Sequence, residues 1–256
     1  MYRGGTHLGR DTRTALIVKL MMGTMSHNRP IFNPTPDQTF ELEGRGDYDF
    51  VRHLNDVESL VREARYDEAC EIRYAAFQHL ADILPEEEAM PLRWEHANSR
   101  AAMSILYGSA VDHFRIGDVE MTMAQLEMLL DCDPEDHFEA INLLALCYVA
   151  TEEWEAYEDI TIDLTDKSPE AVVAQLWASQ RRDGKLDGKL LATLKARHKA
   201  YWEELIADEH PADEAYLKDI GSNRPSQSAE AREWWLLTEP LWHEFPDFVN
   251  ALRKAK

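Results

Sequence analysis

The chain has 256 residues, 45% of them apolar, enough to bury a sizeable core as one elongated domain or two small ones. Its 27 Lys and Arg stand against 48 Asp and Glu, and the formal charge of −21 repels phosphate backbones and anionic lipid. Nucleic acid and membrane are therefore excluded as expected partners, while the charge either keeps the protein soluble or attracts a basic partner.

Three cysteines, Cys70, Cys132 and Cys147, are an odd number without C-x-x-C spacing, and each falls inside a helical pattern. They read as reduced, buried small hydrophobes, which fits a cytoplasmic protein. No apolar run reaches the length of about 18 residues that spans a bilayer.

Residues 1–24 differ from the rest, with Arg3, Arg10, Arg13 and Lys19 against the single acid Asp11. Lys19 interrupts the apolar run Thr14–Met22, which argues against a secretory signal, and Met25 is an alternative start to Met1. Pro30, Pro34, Pro36, Gly44 and Gly46 make residues 26–48 an extended lead-in, so 1–46 is expected as a flexible or extended N-terminal segment.

Helical periodicity starts near Asp47 and runs through Val51, Leu54, Val57, Leu60 and Val61. A turn at Arg65–Asp67 leads to a second helix through Ala69, Ile72, Ala76 and Leu80, closed by Pro85. Glu86–Glu88 suit the start of a third helix, continuing with Met90, Leu92, Trp94 and Ala97 and running directly into Leu106.

The clearest unit is Met103 to Pro134. Leu106, Ala110 and Phe114, then Met123, Leu126, Leu129 and Leu130, mark two helices joined by Gly117-Asp118 and ended at Asp133-Pro134. Another hairpin follows, with Phe138, Ile141, Leu144, Ala145 and Tyr148 before a turn at Thr151–Glu153, then Trp154, Tyr157, Ile160 and Leu164, closed by Ser168-Pro169. Pro134 and Pro169, 169 − 134 = 35 residues apart, suggest a repeat near 34 residues.

Beyond them, Ala171–Arg181 predicts a helix and Leu190–Ala207 a longer one, separated by a Gly184/Gly188 loop. Residues 208–230 read as loop. Trp234, Trp235, Trp242, Phe245 and Phe248 concentrate aromatic area near the C-terminus, as expected where a stack is sealed. The expected organisation is thus a lead-in at 1–46, a helical repeat domain at 47–207 and a C-terminal loop with capping helices at 208–256.

No chemical motif stands out, and neither a metal nor a cofactor is expected. The acidic run Asp131–Asp136 lacks the sixth-position glycine and twelfth-position glutamate of an EF-hand, so it reads as an exposed turn. Gly184–Lys189 is one residue short of a phosphate loop and is followed by Leu190 where Ser or Thr would hold magnesium. There is no H-E-x-x-H pair and no G-x-S-x-G elbow; His113 and His137 are expected to pack or cap. Catalysis is therefore not expected.

The helical units resemble the tetratricopeptide-repeat (TPR) family. Leu106, Ala110, Phe114, Gly117-Asp118, Thr122 and Pro134 follow its pattern; Tyr66–Ala69 matches its second-helix opening, and Ile141, Ala145, Tyr148, Trp154 and Pro169 give a weaker copy. The run Leu130–Asp136, with the later Gly221-Ser222, Glu230-Ala231 and Trp242, is similar to a subgroup of such proteins.

The resemblance implies an all-α, TPR-like helical-hairpin solenoid, a right-handed superhelix with an aromatic-rich C-terminal helical cap. It implies an interaction scaffold or adaptor that takes a peptide or helix in a concave groove. The groove-facing places fall at Ser104, Tyr107, Val111, Phe114 and Arg115, then Glu139, Asn142, Leu146 and Val149. Of these, Tyr107, Val111, Phe114, Arg115, Asn142 and Leu146 are the candidate binding residues, for a basic or amphipathic protein or peptide partner.

Tyr107, Val111 and Phe114 serve equally well as core, because the two roles differ by one helical position. An enzyme with a cleft beside the aromatic C-terminal segment, or a self-associating structural protein, are the alternatives.

Overall fold

The computed structural model describes residues 31–85 and 89–255, so the expectations for residues 1–30 and for Glu86–Glu88 lie outside the described residues. Helices dominate, as the sequence leads one to expect, and the described residues divide into two compact units. One runs up to Ser109 and includes Asp131–Glu135; the other comprises Ala110–Leu130 and Asp136 onward. The division falls within a helix, between Ser109 and Ala110.

In the first unit the lead-in is not a bare extended tail. Strand β1 (Phe32–Pro34) pairs antiparallel with β2 (Phe40–Leu42), placing Phe32 opposite Leu42. Phe32, Phe40 and Leu42 are buried. Phe40 bridges to Leu92, its N–H bonding the carbonyl of Pro91 at 2.8 Å while its carbonyl accepts from Arg93 N–H at 2.9 Å. This corrects the helix expected through Met90 and Leu92: the stretch is an extended third edge of the small sheet, because Pro91 lacks an N–H and disfavours helix at Met90.

Helix α1 (Phe50–Arg62) begins at Asp49, whose carboxylate accepts from Arg52 N–H, and ends in a turn with Ala64 at φ 59°. Helix α2 (Tyr66–Ala81) starts two residues earlier than a turn at Arg65–Asp67 allows and packs against α1. Helix α3 (Ala97–Arg115) carries Asn98 and Ser99 in its first turn, and these residues organise the unit. Asn98 Oδ1 accepts from the N–H of Phe50 (2.8 Å) and Val51 (3.2 Å), and its Nδ2 donates to the carbonyls of Leu42 (3.0 Å) and Tyr48 (2.9 Å).

Ser99 Oγ accepts from Leu42 N–H at 2.9 Å. One amide thus caps α1 and closes the end of β2. A Cβ on Gly44 would come within 3.1 Å of the Asn98 side chain, so glycine there permits the close approach.

Gly117, at φ 80°, makes the turn from α3 into α4 (Val119–Cys132), which stops before Asp133-Pro134 as expected. In the second unit, the Thr122 hydroxyl reaches the carbonyls of Asp118 and Ala110 across that turn. Asp136, at φ 50°, accepts from the N–H groups of Ala140 and Ile141 and so caps α5 (Ala140–Thr151). The acidic run is therefore partly a helix cap, and Asp133 within it is buried.

Helix α5 is buried from Asn142 through Val149, on every face. A helix apolar all round belongs inside, and α5 packs on both α6 (Trp154–Ile160) and α7 (Pro169–Asp183). Ser168 caps α7 by accepting from Ala171 N–H, and Pro169 occupies its first turn, where no N–H is missed. Pro169 thus opens a helix, whereas Pro134 follows one, so the two prolines spaced 35 apart in sequence do different structural jobs.

The long helix expected over Leu190–Ala207 is two helices, α8 (Gly188–Arg197) and α9 (Lys199–Leu205), broken at His198 with φ −117° and ψ 48°. The expected loop at 208–230 contains α10 (Glu214–Ile220) and the start of α11 (Gln227–Glu244), which is followed by α12 (Pro246–Lys254). The C-terminal aromatics are core: Trp177 of α7 lies 5.2 Å from Trp242 and 5.3 Å from Phe245, and Trp242 lies 5.3 Å from Phe248.

Candidate functional site

The six candidate binding residues do not share one open face. Phe114 is 3% exposed, Leu146 1% and Asn142 8%; all three are packed into the second unit. The physical reason for Asn142 and Leu146 is that α5 has no solvent face to offer. Tyr107, in the first unit, and Val111 are half-buried. Arg115 is exposed, ending α3 beside Ile116, which is 78% exposed.

Arg115 lies within electrostatic reach of Tyr216 on α10. Burial first, then the charge of Glu233, raise the pKa of the half-buried Tyr216 phenol, and Arg232 and Arg115 pull it the other way. Leu217, next to Tyr216, is 57% exposed. Arg115 has no carboxylate partner among the described residues. Arg115 thus stands next to the exposed Ile116 and within electrostatic reach of the helix that carries the exposed Leu217.

Helices α9 and α11 pack together and hold a polar cluster that no sequence motif announces. Glu204 sits on the buried face of α9 with Tyr201, Trp202 and Leu205. Its Oε1 accepts from Arg232 Nε and from His210 Nδ1, the latter at 2.6 Å. Arg232 Nη1 also donates to the Pro211 carbonyl at 2.8 Å. A buried carboxylate is tolerated because two donors compensate its lost hydration.

The His210 ring stacks on Trp235 at 3.9 Å and 18°. Because Nδ1 donates to the carboxylate, Nε2 is left; it is buried without a hydrogen-bond partner, and so is Trp235 Nε1.

No protein family, curated protein or solved structure matches this chain.

A second polar group lies around the start of α7. The Tyr201 hydroxyl donates to Glu170 Oε1, whose other oxygen accepts from Ser168 Oγ at 2.8 Å. Burial, then the charges of Glu170 and Asp136, push the Glu139 carboxyl above its ordinary pKa. Among the described residues no group of three or more His, Cys, Asp or Glu is arranged to hold a metal ion. Nor is any helix there long and apolar enough to cross a membrane.

All three cysteines are free. Burial, then Asp131 and Asp133, raise the Cys132 thiol to about 12, and burial raises Cys147 further.

Proposed function

We propose that the chain is a non-catalytic interaction scaffold whose contact surface is the end of α3 together with α10. The observation that carries this reading is Arg115, exposed and without an acid partner among the described residues, beside the exposed Ile116 and close to Tyr216 and the exposed Leu217. Apolar side chains offer area to a partner, and an unpaired guanidinium selects a carboxylate, so the fitting occupant is an amphipathic segment that presents an acidic side chain. The consecutive hairpins α1/α2, α3/α4 and α5/α6 support a TPR-like right-handed solenoid as the frame, with α11 and α12 as its aromatic cap.

The test is selection from a random displayed-peptide library on the full chain, with wild type and Arg115→Glu compared. Peptides combining acidic and apolar residues should be enriched on the wild type and bind the variant at least about tenfold more weakly. Equal binding to both proteins refutes the assignment.

The enzyme reading draws on one observation, the Glu204–His210 pair, which resembles a carboxylate-oriented base. Its reactive nitrogen is buried against Trp235, which favours a binding role for the cluster.

A further inference from the structure

The cluster around Glu204 has the construction of a receptor slot with a side chain of the same chain inside it. One wall is the Trp235 indole, parallel to the occupying ring at 3.9 Å. The floor is the Glu204 carboxylate, only 9% exposed, fixed by Arg232, which in turn is anchored on the Pro211 carbonyl. The occupant, His210, uses one nitrogen on the carboxylate at 2.6 Å. Its other nitrogen and the indole N–H of Trp235 remain buried and unmatched. A buried donor or acceptor without a partner loses its hydration for nothing, so His210 regains hydration at Nε2 when it leaves the slot, which lowers the cost of its departure.

His210 also arrives on a weakly held segment. From Ile206 to Ser228 no residue is buried, and α10 contributes none to the core. Besides the His210 and Pro211 contacts, Arg253 donates to the Ala207 carbonyl and α10 leans on α11, while Asp219 accepts from Ser226 N–H at 3.0 Å and Ser226 Oγ at 2.7 Å within the segment itself. An occupant that replaces His210 therefore has little apolar packing to undo.

We infer that Glu204, Arg232 and Trp235 form a recognition site for a planar N–H heterocycle of the imidazole type, presented by a histidine of a partner segment, and that His210 fills the site in cis. An entering imidazole donates its N–H to Glu204, stacks on Trp235 and frees the 206–228 segment. The slot uses none of the residues of the Arg115 surface, but the segment it would free carries α10, the other half of that surface; its test needs no partner protein.

The experiment uses the full chain and free imidazole at about pH 8.5, where imidazole is neutral and carries one N–H. His210→Gly should bind imidazole saturably in the millimolar range, read as a rise in melting temperature. 1-Methylimidazole, equally flat but without an N–H, should bind at least about tenfold more weakly, and Glu204→Gln added to His210→Gly should weaken imidazole to a similar extent. In the wild type, saturating imidazole should increase amide exchange selectively across residues 206–228. Equal stabilisation by the two heterocycles, or no effect of Glu204→Gln, overturns the proposal. If His210→Gly does not fold, the wild-type measurement decides alone, and unchanged exchange across 206–228 overturns it.

Discussion

Removing the Asn98 side chain should cost the first unit much of its stability. Asn98→Ala strips partners from four backbone groups, but not all of them suffer equally. The bonds to Phe50 N–H and to the Leu42 carbonyl are buried, and both residues are 0% exposed, so water cannot replace the lost amide there. The bonds to Val51 N–H and the Tyr48 carbonyl are only partly buried, and water substitutes at little cost.

Two stranded groups at about 1–3 kcal/mol each give a loss of about 4 kcal/mol. Asn98→Asp keeps the acceptor for the two N–H groups but sets a carboxylate against two carbonyls, so it should not rescue. The exposed Asn55→Ala on α1 should change stability by less than about 0.5 kcal/mol. Urea unfolding followed by far-UV circular dichroism, with amide exchange of residues 40–51 to locate the loss, measures the effect. A cost below about 1 kcal/mol for Asn98→Ala would refute the assignment of Asn98 as the organising residue.

Glu139 titrates in the opposite sense to a salt-bridged acid. Its folded pKa lies above the unfolded value, so the folded state holds the proton more tightly, and stability falls as pH rises from the unfolded pKa through the folded one. Glu139→Gln should therefore raise the melting temperature at pH 7 and flatten the acid side of the stability profile; a lower melting temperature there contradicts the upward shift assigned to Glu139. Thiol labelling of the native protein should modify only the half-buried Cys70 rapidly, with Cys132 and Cys147 reacting after denaturation; fast labelling of either at neutral pH contradicts the core placement. Trp242→Ala removes a ring packed on Trp177 and Phe248 and a 2.8 Å bond to Thr238, and urea unfolding should show a loss of about 3–5 kcal/mol.

The sequence is informative where local chemistry decides structure. Gly117 with Asp118, the stop at Pro134 and the apolar stripes around Leu106 and Leu126 place the turn from α3 into α4 and the end of α4 within a residue or two, though not the start of α3 at Ala97. Where a residue has two local meanings, long-range packing chooses. Pro169 fits a helix end in a repeat pattern and a helix start in isolation, and its Ser168 cap selects the start. Leu92 fits a helical stripe, yet it pairs with Phe40, a partner 52 positions away.

The burial of α5 on every face is legible in its composition. Ile141–Val149 contains only Asn142 as a polar residue, and a helix without a polar side cannot line a solvated groove while also packing on its neighbours. The Glu204 cluster and the Asn98 network carry no such signal. Glu204, His210 and Arg232 are three ionisable residues among many, separated by 6 and 22 positions, and only the folding of α9, α10 and α11 brings them together.

The scaffold reading depends most directly on the Arg115–Leu217 surface, so calorimetric titration of a library-selected peptide into matched variants is the decisive measurement. Ile116→Asp and Leu217→Asp should each weaken binding at least about tenfold, while Ile162→Asp, at a position 88% exposed elsewhere in the same unit, leaves it unchanged. Binding that is insensitive to Ile116 and Leu217, or equally sensitive to Ile162, would contradict the account.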